Sequence, residues 1–120
     1  MTGSINNLDD LKHRLRKFTA ERDWDQFHSP KNLAMALAGE VGELLEHFQW
    51  LTESESRELK DSKKHEVAME LADILIYLVR LSDKLDVHLI EACDAKVRRN
   101  EERYPVGRVK GSSKKYDEYR

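Results

Sequence analysis

Apolar residues recur every three to four positions along most of the chain, which is the period of amphipathic helices. The clearest example lies in residues 30–51, where a helix of about 100° per residue places the apolar side chains on one stripe. These side chains are Leu33, Leu37, Val41, Leu44, Phe48 and Leu51. The same spacing predicts helices over residues 8–22, 63–85 and 88–103. Strand-like alternation of apolar and polar residues is nearly absent, and the sequence contains no internal repeat. The pattern predicts an all-α domain with four main helices, and Phe48 is expected in its core.

Capping residues and prolines mark where the predicted helices begin and end. Ser29 followed by Pro30 is a favoured helix start, and the second of the two prolines ends the fourth helix. Residues 52–61 are polar and are expected to form a loop with one short helical turn. The residues after the second proline are rich in glycine, serine and charges of both signs, which predicts a mobile end of the chain. We therefore assign residues 1–107 to one domain and residues 108–120 to a C-terminal tail.

The composition limits the classes of protein to which the chain can belong. It has 120 residues, with 21 Lys and Arg against 23 Asp and Glu, which gives a net charge of −2. Nucleic-acid binders usually carry a basic excess, so no nucleic-acid partner is expected. The longest apolar runs have six residues and the first residues lack the apolar core of a signal peptide, so no membrane association is expected. Cys93 is the only cysteine, which excludes an intrachain disulfide and favours a reducing, cytoplasmic location.

A second copy of the chain is expected to complete the hydrophobic core. Charged residues make up 37% of the chain, and a domain of this size buries only a modest core by itself. The helix over residues 30–51 also carries a small-residue face, roughly opposite its apolar stripe. This face consists of Met35, Ala38, Gly39 and Gly42. Because a glycine in a helix interior costs about 1 kcal/mol relative to alanine, the face predicts close approach of another helix, from this chain or from a partner.

Four carboxylates lie at the edges of the apolar stripes on the second and third predicted helices. Glu40 and Glu43 are three residues apart, as are Glu70 and Asp73, so each pair shares one flank of its helix. Two such helices packed side by side would bring all four carboxylates together. The segments that contain these pairs, residues 32–51 and 65–79, have no Lys or Arg. Anions near a hydrophobic core need a partner. A bound cation would provide one, and all-oxygen ligands suit Mg²⁺ or Mn²⁺ rather than zinc.

The spacing of these carboxylates is equally compatible with a solvated acidic surface, because charged helix faces usually contact water. A ferritin-like di-iron centre is less well supported, since it uses Glu-x-x-His pairs and no histidine here lies three residues after a glutamate. The residues alone therefore leave two functions open. One is a metal-dependent enzyme, and the other is a non-enzymatic helical dimerisation or adaptor module with an acidic face.

Several motifs resemble, in this order along the chain, the all-α NTP pyrophosphatase superfamily, and its MazG-like dCTP pyrophosphatase branch most of all. They are ERDW-x-QFH, EVGEL, FQW, ADILIYL and N-x-x-RYP. The likeness covers about residues 8–108 and extends to the SSKKY segment. It implies a four-helix bundle of that family's type, assembled as a dimer or tetramer with sites near subunit contacts. It also implies Mg²⁺-dependent hydrolysis of dCTP or 5-modified dCTP to the monophosphate and pyrophosphate, a house-cleaning role in the nucleotide pool.

The resemblance assigns roles to particular residues. Those that match the family's metal ligands and are expected to act in catalysis are Glu40, Glu43, Glu70 and Asp73. Those that match its nucleotide pocket are Trp24, Asp25, Gln26, Phe27, His28, Trp50, Tyr77, Lys96, Asn100, Arg103 and Tyr104. Lys96, Asn100 and Arg103 share one stripe of the fourth predicted helix. Two cations and an amide on one face are suited to binding phosphate oxygens. Glu43 is the candidate to deprotonate the attacking water, as a carboxylate not fully used in ligation.

Several pocket residues also have a purely structural interpretation. Trp24 or Phe27 could cap the corner between the first two helices. His28 could serve only the turn before the second helix, and Lys96 could be a surface lysine. One position departs from the relatives, because Leu15 stands where the animal dCTP enzymes carry a histidine that touches the substrate. The selectivity for base or sugar is therefore expected to differ.

Overall fold

The computed structural model describes residues 3–112, and they form helices joined by short turns. In chain order these are α1 (Leu8–Glu21), a 3-10 turn (Asp25–Phe27), α2 (Pro30–Glu46), α3 (Glu53–Arg57), α4 (Asp61–Lys84), α5 (Leu89–Arg103) and α6 (Val106–Val109). The described residues contain no strand, so the predicted all-α class is confirmed. Residues 113–120, which make up most of the predicted tail, lie outside the described residues.

The helices α1 and α2 begin where the sequence predicts because side chains satisfy their first backbone N–H groups, whereas α4 and α5, which lack a side-chain cap, begin at Asp61 and Leu89 rather than at residues 63 and 88. At the start of α2, the Ser29 hydroxyl accepts a hydrogen bond of 3.1 Å from the Asn32 N–H, and Pro30 occupies the first helical position. At the start of α1, the Asn7 side chain accepts a hydrogen bond of 2.8 Å from the Asp10 N–H.

The second helix is shorter than predicted, because α2 ends at Glu46 rather than at residue 51. Residues 47–50 form turns instead. There the backbone tightens into turns closed by bonds that span three residues, from the Phe48 N–H to the Leu45 carbonyl and from the Leu51 N–H to the Phe48 carbonyl, each 2.9 Å long. The next helix then begins at a reciprocal capping box, in which Thr52 and Glu55 form hydrogen bonds of 3.1 and 2.9 Å. The short helical turn expected within residues 52–61 is α3.

The described residues divide into two compact units, one ending at Asp86 and the other beginning at Val87. In the first unit, α2 packs along α4 and α1 also packs against α4. Its buried apolar side chains are Leu33, Val67 and Val79. The second unit contains α5 and α6. The four long helices are all present, whereas their association into one bundle and the domain boundary after residue 107 stay predictions.

The apolar stripe of α2 is less covered than the pattern predicts. Leu33 is 1% exposed, but Val41 is 47% exposed, and Phe48, expected in the core, is only half-buried. A Cβ built on Gly39 or Gly42 meets no atom within 4 Å. The described part of this chain therefore does not cover these two glycines, and the close approach of another helix stays a prediction.

None of the helices between residues 3 and 112 combines the length and apolar character that crossing a membrane requires.

Candidate active site

Three of the four predicted carboxylates converge between α2 and α4. Glu40 and Glu43 on α2 and Glu70 on α4 each offer an oxygen, and these oxygens lie within 4.8 Å of one another. The convergence arises because α2 and α4 pack side by side and the three-residue spacing keeps the α2 pair on one flank. Asp73 is exposed and lies one turn along α4 from Glu70, outside this three-carboxylate cluster.

Two oxygens of the cluster are buried without a hydrogen-bond partner among the described residues. They are Oε2 of Glu40 and Oε2 of Glu70. A buried polar atom without a partner costs about 1–3 kcal/mol, and more when it is charged. The cluster is therefore destabilised as anions and is stabilised by a proton or by a bound cation.

The proton affinity of the cluster follows from this burial. Burial first, and then the adjacent carboxyl of Glu43, raise the pKa of Glu40 to about 7. Burial and Glu43 also raise the pKa of Glu70, and the charge of Asp73 acts in the same direction on both groups. A nearby cation has the opposite effect because it favours the ionised carboxylates.

A histidine and a lysine on one side of the cluster were not anticipated from the sequence. His47 Nε2 lies 4.0 Å from Glu70 Oε1, and Lys63 Nζ lies 3.2 Å from His47 Nδ1 and 3.6 Å from Glu66 Oε2. Glu66 is thereby paired with a lysine, whereas no lysine or arginine between residues 3 and 112 forms an ion pair with the three clustered carboxylates. The three-residue spacing of Lys63 and Glu66 could have predicted this ion pair from the sequence. Lys63 lies just before residues 65–79, the segment that lacks Lys and Arg.

The aromatic loop, residues 24–28, follows α1 and contains the 3-10 turn. Trp24 packs edge-on against Phe18, with ring centroids 5.7 Å apart and an interplanar angle of 72°. The Arg22 guanidinium lies 3.8 Å from the centre of the Phe18 ring. Trp24 therefore does cap the corner after α1, while 46% of it remains exposed. Phe27 is 60% exposed, so its ring is available for stacking.

The polar side chains of the aromatic loop contact the protein itself. Asp25 Oδ1 pairs with Arg80 Nη2 at 2.9 Å and with Lys84 Nζ at 2.6 Å. The Gln26 amide donates to the backbone oxygen of Asp23 at 3.0 Å. The predicted contact of Asp25 and Gln26 with the nucleotide stays a prediction.

The remaining predicted pocket residues differ in exposure. Trp50 is 86% exposed and lies in the turns after α2, whereas Tyr77, on the same flank of α4 as Glu70, is half-buried, as is Leu15 on α1. On α5, in the second unit, Lys96 and Asn100 are exposed. Arg103 and Tyr104 are half-buried there, and the Tyr104 N–H donates to the Asn100 carbonyl at 2.8 Å.

Sequence reasoning missed the ion pairs that connect α1, α4 and the aromatic loop. Arg16 makes a two-point contact with Asp83, with distances of 2.7 and 2.6 Å. Arg80 and Lys84 on α4 pair with Asp25, as described above. The signal was Arg80 itself, a charged residue within an otherwise apolar stretch of the predicted helix.

Comparisons with known proteins identify the family of the chain. The model of the MazG-like family matches residues 36–119, which include all four carboxylates. The chain is 46% identical over 111 residues to dCTP pyrophosphatase 1 of Mus musculus, and 46% identical over 113 residues to that of Homo sapiens. These alignments cover 91% and 92% of this chain but 65% and 66% of the relatives. The chain thus spans just under two thirds of the length of these curated relatives.

A solved structure supports the same relationship. The crystal structure of a pyrophosphatase from Archaeoglobus fulgidus matches with a TM-score of 0.78 and 40% sequence identity, over 88% of this chain and 98% of that chain. The family model and the relatives together show that the chain belongs to the MazG-like family.

Proposed function

We propose that the chain is a Mg²⁺-dependent pyrophosphohydrolase that converts dCTP and 5-modified dCTP to the monophosphate and pyrophosphate. The observation that carries this proposal is the three-carboxylate cluster with two buried, unpartnered oxygens. The names of the curated relatives support dCTP as the substrate. The alternative of an adaptor with a solvated acidic face does not explain why two of the carboxylate oxygens are buried.

The cluster fits a hard divalent cation. Its donors are all carboxylate oxygens, which Mg²⁺ and Mn²⁺ prefer. Glu40, Glu43 and Glu70 would hold the ion together with Asp73, which lies on the same flank of α4 as Glu70. When bound, Mg²⁺ neutralises phosphate oxygens and favours ionisation of a water molecule.

The side chains of this protein then have separate tasks in the proposed reaction. Water adds across the phosphoanhydride bond between the α- and β-phosphates, which releases dCMP and pyrophosphate. Glu43 is the most exposed of the three clustered carboxylates, and we assign to it the removal of the proton from the attacking water. Lys96, Asn100 and Arg103 would bind phosphate oxygens from their shared stripe on α5.

The base would be held by stacking. Trp24, Phe27 and Trp50 each expose a large part of the ring, and one base stacked on an aromatic ring contributes about 1–3 kcal/mol. Stacking tolerates any base, so the discrimination must come from polar groups and pocket size. The resemblance implies a histidine at the position of Leu15, so we propose that Leu15 makes the wall more apolar and weakens strict selection of cytosine.

A panel of nucleotides tests the proposed function. We expect pyrophosphate release that requires Mg²⁺ or Mn²⁺, with kcat/KM highest for dCTP among dCTP, dTTP, dATP, dGTP and CTP. A ribose hydroxyl against an aromatic wall would remain unpaired at a cost of about 1–3 kcal/mol, so CTP should be hydrolysed roughly 10-fold less efficiently. The measurement is initial pyrophosphate release at one Mg²⁺ concentration, with an EDTA control.

Two results of this panel would contradict parts of the proposal. Hydrolysis of CTP or a purine nucleotide about 10-fold better than dCTP would exclude the proposed pocket without touching the metal site. No hydrolysis of any nucleotide would exclude the enzyme. Trp50→Ala belongs in the same experiment, because a loss confined to KM indicates base binding, whereas a fall in kcat shows that stacking also aligns the phosphates.

We further propose that the protein is a homo-oligomer, a dimer or a tetramer. Met35 on the small-residue face is 64% exposed, and Leu45, further along α2, is 57% exposed. On α4, Met69 and Leu71 are 51% and 52% exposed. A monomer seldom exposes so many large apolar side chains on two neighbouring helices. A second copy would cover them and could complete the wall around Trp50, which its own unit leaves exposed.

Light scattering tests the oligomer. At micromolar concentration we expect a mass of at least twice the 14.1 kDa of the chain. Met35→Lys should shift the equilibrium toward the monomer by about 10-fold or more in dissociation constant, because it buries a charge in the interface. Ala20→Lys, at an exposed position on α1, is the control and should leave the mass unchanged. A stable 14.1 kDa wild-type monomer would refute the oligomer.

The cytoplasm is the proposed location. The free, exposed thiol of Cys93 is compatible with a reducing compartment, and nucleotide-pool hydrolysis would take place there.

A further inference from the structure

Arg80 is a buried cation that the proposed reaction does not use. It lies near the C-terminal end of α4, ten residues after Glu70, and only 3% of it is exposed. Burial of a guanidinium without partners destabilises the folded state by on the order of several kcal/mol. Such a residue is retained only where carboxylates and hydrogen bonds offset this cost. The positions of its partners therefore reveal which part of the fold it stabilises.

One partner of Arg80 is already committed to another residue. Asp83, three residues further along α4, lies 3.6 Å from Arg80 Nη1, but its two oxygens bind Arg16 at 2.6 and 2.7 Å. The shorter contact of Arg80 is with Asp25 in the aromatic loop, at 2.9 Å. Burial of Arg80 is thus coupled to the position of the aromatic loop.

The same guanidinium also fixes the protonation of His28. Arg80 Nε donates to His28 Nδ1 at 3.4 Å. Since a guanidinium has only donors, Nδ1 must present its lone pair and the neutral ring carries its proton on Nε2. Burial and the charge of Arg80 both lower the pKa of His28, in agreement with a neutral imidazole. One side chain of α4 therefore holds two residues of the loop.

Other contacts hold the loop at its remaining points. Lys84, one turn after Arg80, also binds Asp25, at 2.6 Å. The Asn32 amide donates to the Phe27 carbonyl at 3.0 Å, and Trp24 rests on Phe18. Asp23 enters the loop with a φ of 52°, a left-handed conformation that costs a non-glycine residue free energy and needs support from its surroundings.

We propose that Arg80 is a positioning residue that clamps the aromatic loop through Asp25 and His28 and so presets the Trp24 and Phe27 rings for the base of the nucleotide. The substrate in this inference rests on the proposed function, whereas the clamp itself does not. A loop that spends less time in the binding conformation lowers apparent affinity in proportion to the lost population. Among the described residues, the three clustered carboxylates form no hydrogen bond or ion pair with this loop, so we expect the clamp to affect binding rather than the chemical step.

Asp25→Asn is the sharpest test, because Asp25 is exposed in the loop and its isosteric replacement is not expected to disturb the core. We expect KM for dCTP to rise about 3- to 10-fold with kcat within about twofold of wild type. Asp94→Asn is the matched control, since Asp94 forms a similar 3.0 Å ion pair with Arg98 on the surface of α5, and it should change neither constant. Arg80→Lys keeps the charge but loses the two-residue contact, and it should reproduce the effect of Asp25→Asn.

Fluorescence of Trp24 tests the clamp without any enzymatic activity. The chain has two tryptophans, so Trp50→Phe leaves Trp24 as the only one. In that background we expect Asp25→Asn to raise the acrylamide quenching constant of Trp24 by about 1.5-fold or more, and Asp94→Asn to leave it unchanged. This result would support the clamp even if the wild type hydrolysed no nucleotide, in which case only the proposed function would fail.

The inference is overturned if Asp25→Asn changes neither Trp24 quenching nor KM in an active enzyme. It is also overturned if quenching rises while KM stays constant, because the clamp would then serve the fold and not substrate binding. A fall in kcat with constant KM would contradict it as well, by showing that Asp25 acts on the chemical step.

Discussion

Replacement of any one of the four predicted carboxylates by its isosteric amide is expected to reduce Mg²⁺-dependent turnover of dCTP by on the order of 100-fold or more. The variants are Glu40→Gln, Glu43→Gln, Glu70→Gln and Asp73→Asn. Each removes a negative oxygen that the proposed metal site needs, while the side-chain volume is kept. The helical fold should survive, because removal of mutually repelling charges does not destabilise the packing of α2 on α4. The measurements are kcat at saturating Mg²⁺ and the helical circular dichroism of each variant.

Glu46→Gln provides the matched control for this series. Glu46 is an exposed glutamate at the last position of α2, and it does not belong to the three-carboxylate cluster. Its replacement should leave kcat unchanged within about twofold. If two or more of the four carboxylate variants kept turnover close to that of the wild type, the assignment of the metal site would be wrong.

The fold was predictable from the sequence wherever local interactions decide it. The starts of α1 and α2 follow from Asn7 and Ser29, whose side chains cap the helix within three residues along the chain. The end of α2 was not predictable from hydrophobic spacing, since Phe48 and Leu51 continue the periodic pattern beyond it. After Glu46 the backbone forms turns closed by bonds that span three residues, and the apolar period does not distinguish such turns from a continuing α-helix.

In the candidate site, too, the features set by local contacts were predictable from the sequence, and those set by distant contacts were not. Glu40 and Glu43 share a helix flank through local geometry, so their convergence with Glu70 required only that two apolar stripes meet. The contact of Arg80 with Asp25 joins residues 55 positions apart, and no spacing rule predicts it. The exposure of Trp50 and Val41 was not predictable either, because the apolar period marks which positions share a helix face but not which of them the rest of the fold covers.

Without metal, the protein is expected to become less stable as the pH rises from 5 to 8. The pKa of Glu40 is about 7 in the folded chain, against an ordinary value of 4.5. A group that binds its proton more tightly in the folded state contributes stability that is complete below the lower value and is lost as pH rises through the higher one. The full shift corresponds to roughly 3.4 kcal/mol, and we expect about 2 kcal/mol because solvent still screens the cluster. Urea unfolding in EDTA at several pH values measures this loss.

The difference between wild type and Glu40→Gln isolates the contribution of this carboxyl. Glutamine imitates the protonated acid, so the two proteins should be equally stable at pH 5, and the variant should be more stable by about 2 kcal/mol at pH 8. His28, whose pKa is lowered, acts in the opposite direction below pH 6.5, but both proteins carry it and it cancels in the difference. Mg²⁺ at pH 8 should stabilise the wild type and have much less effect on the variant, because binding to the folded state alone raises stability. If the difference in unfolding free energy between the two proteins were the same at pH 5 and pH 8, the carboxyl of Glu40 would not change its protonation in this range. The raised pKa attributed to its burial would then be wrong.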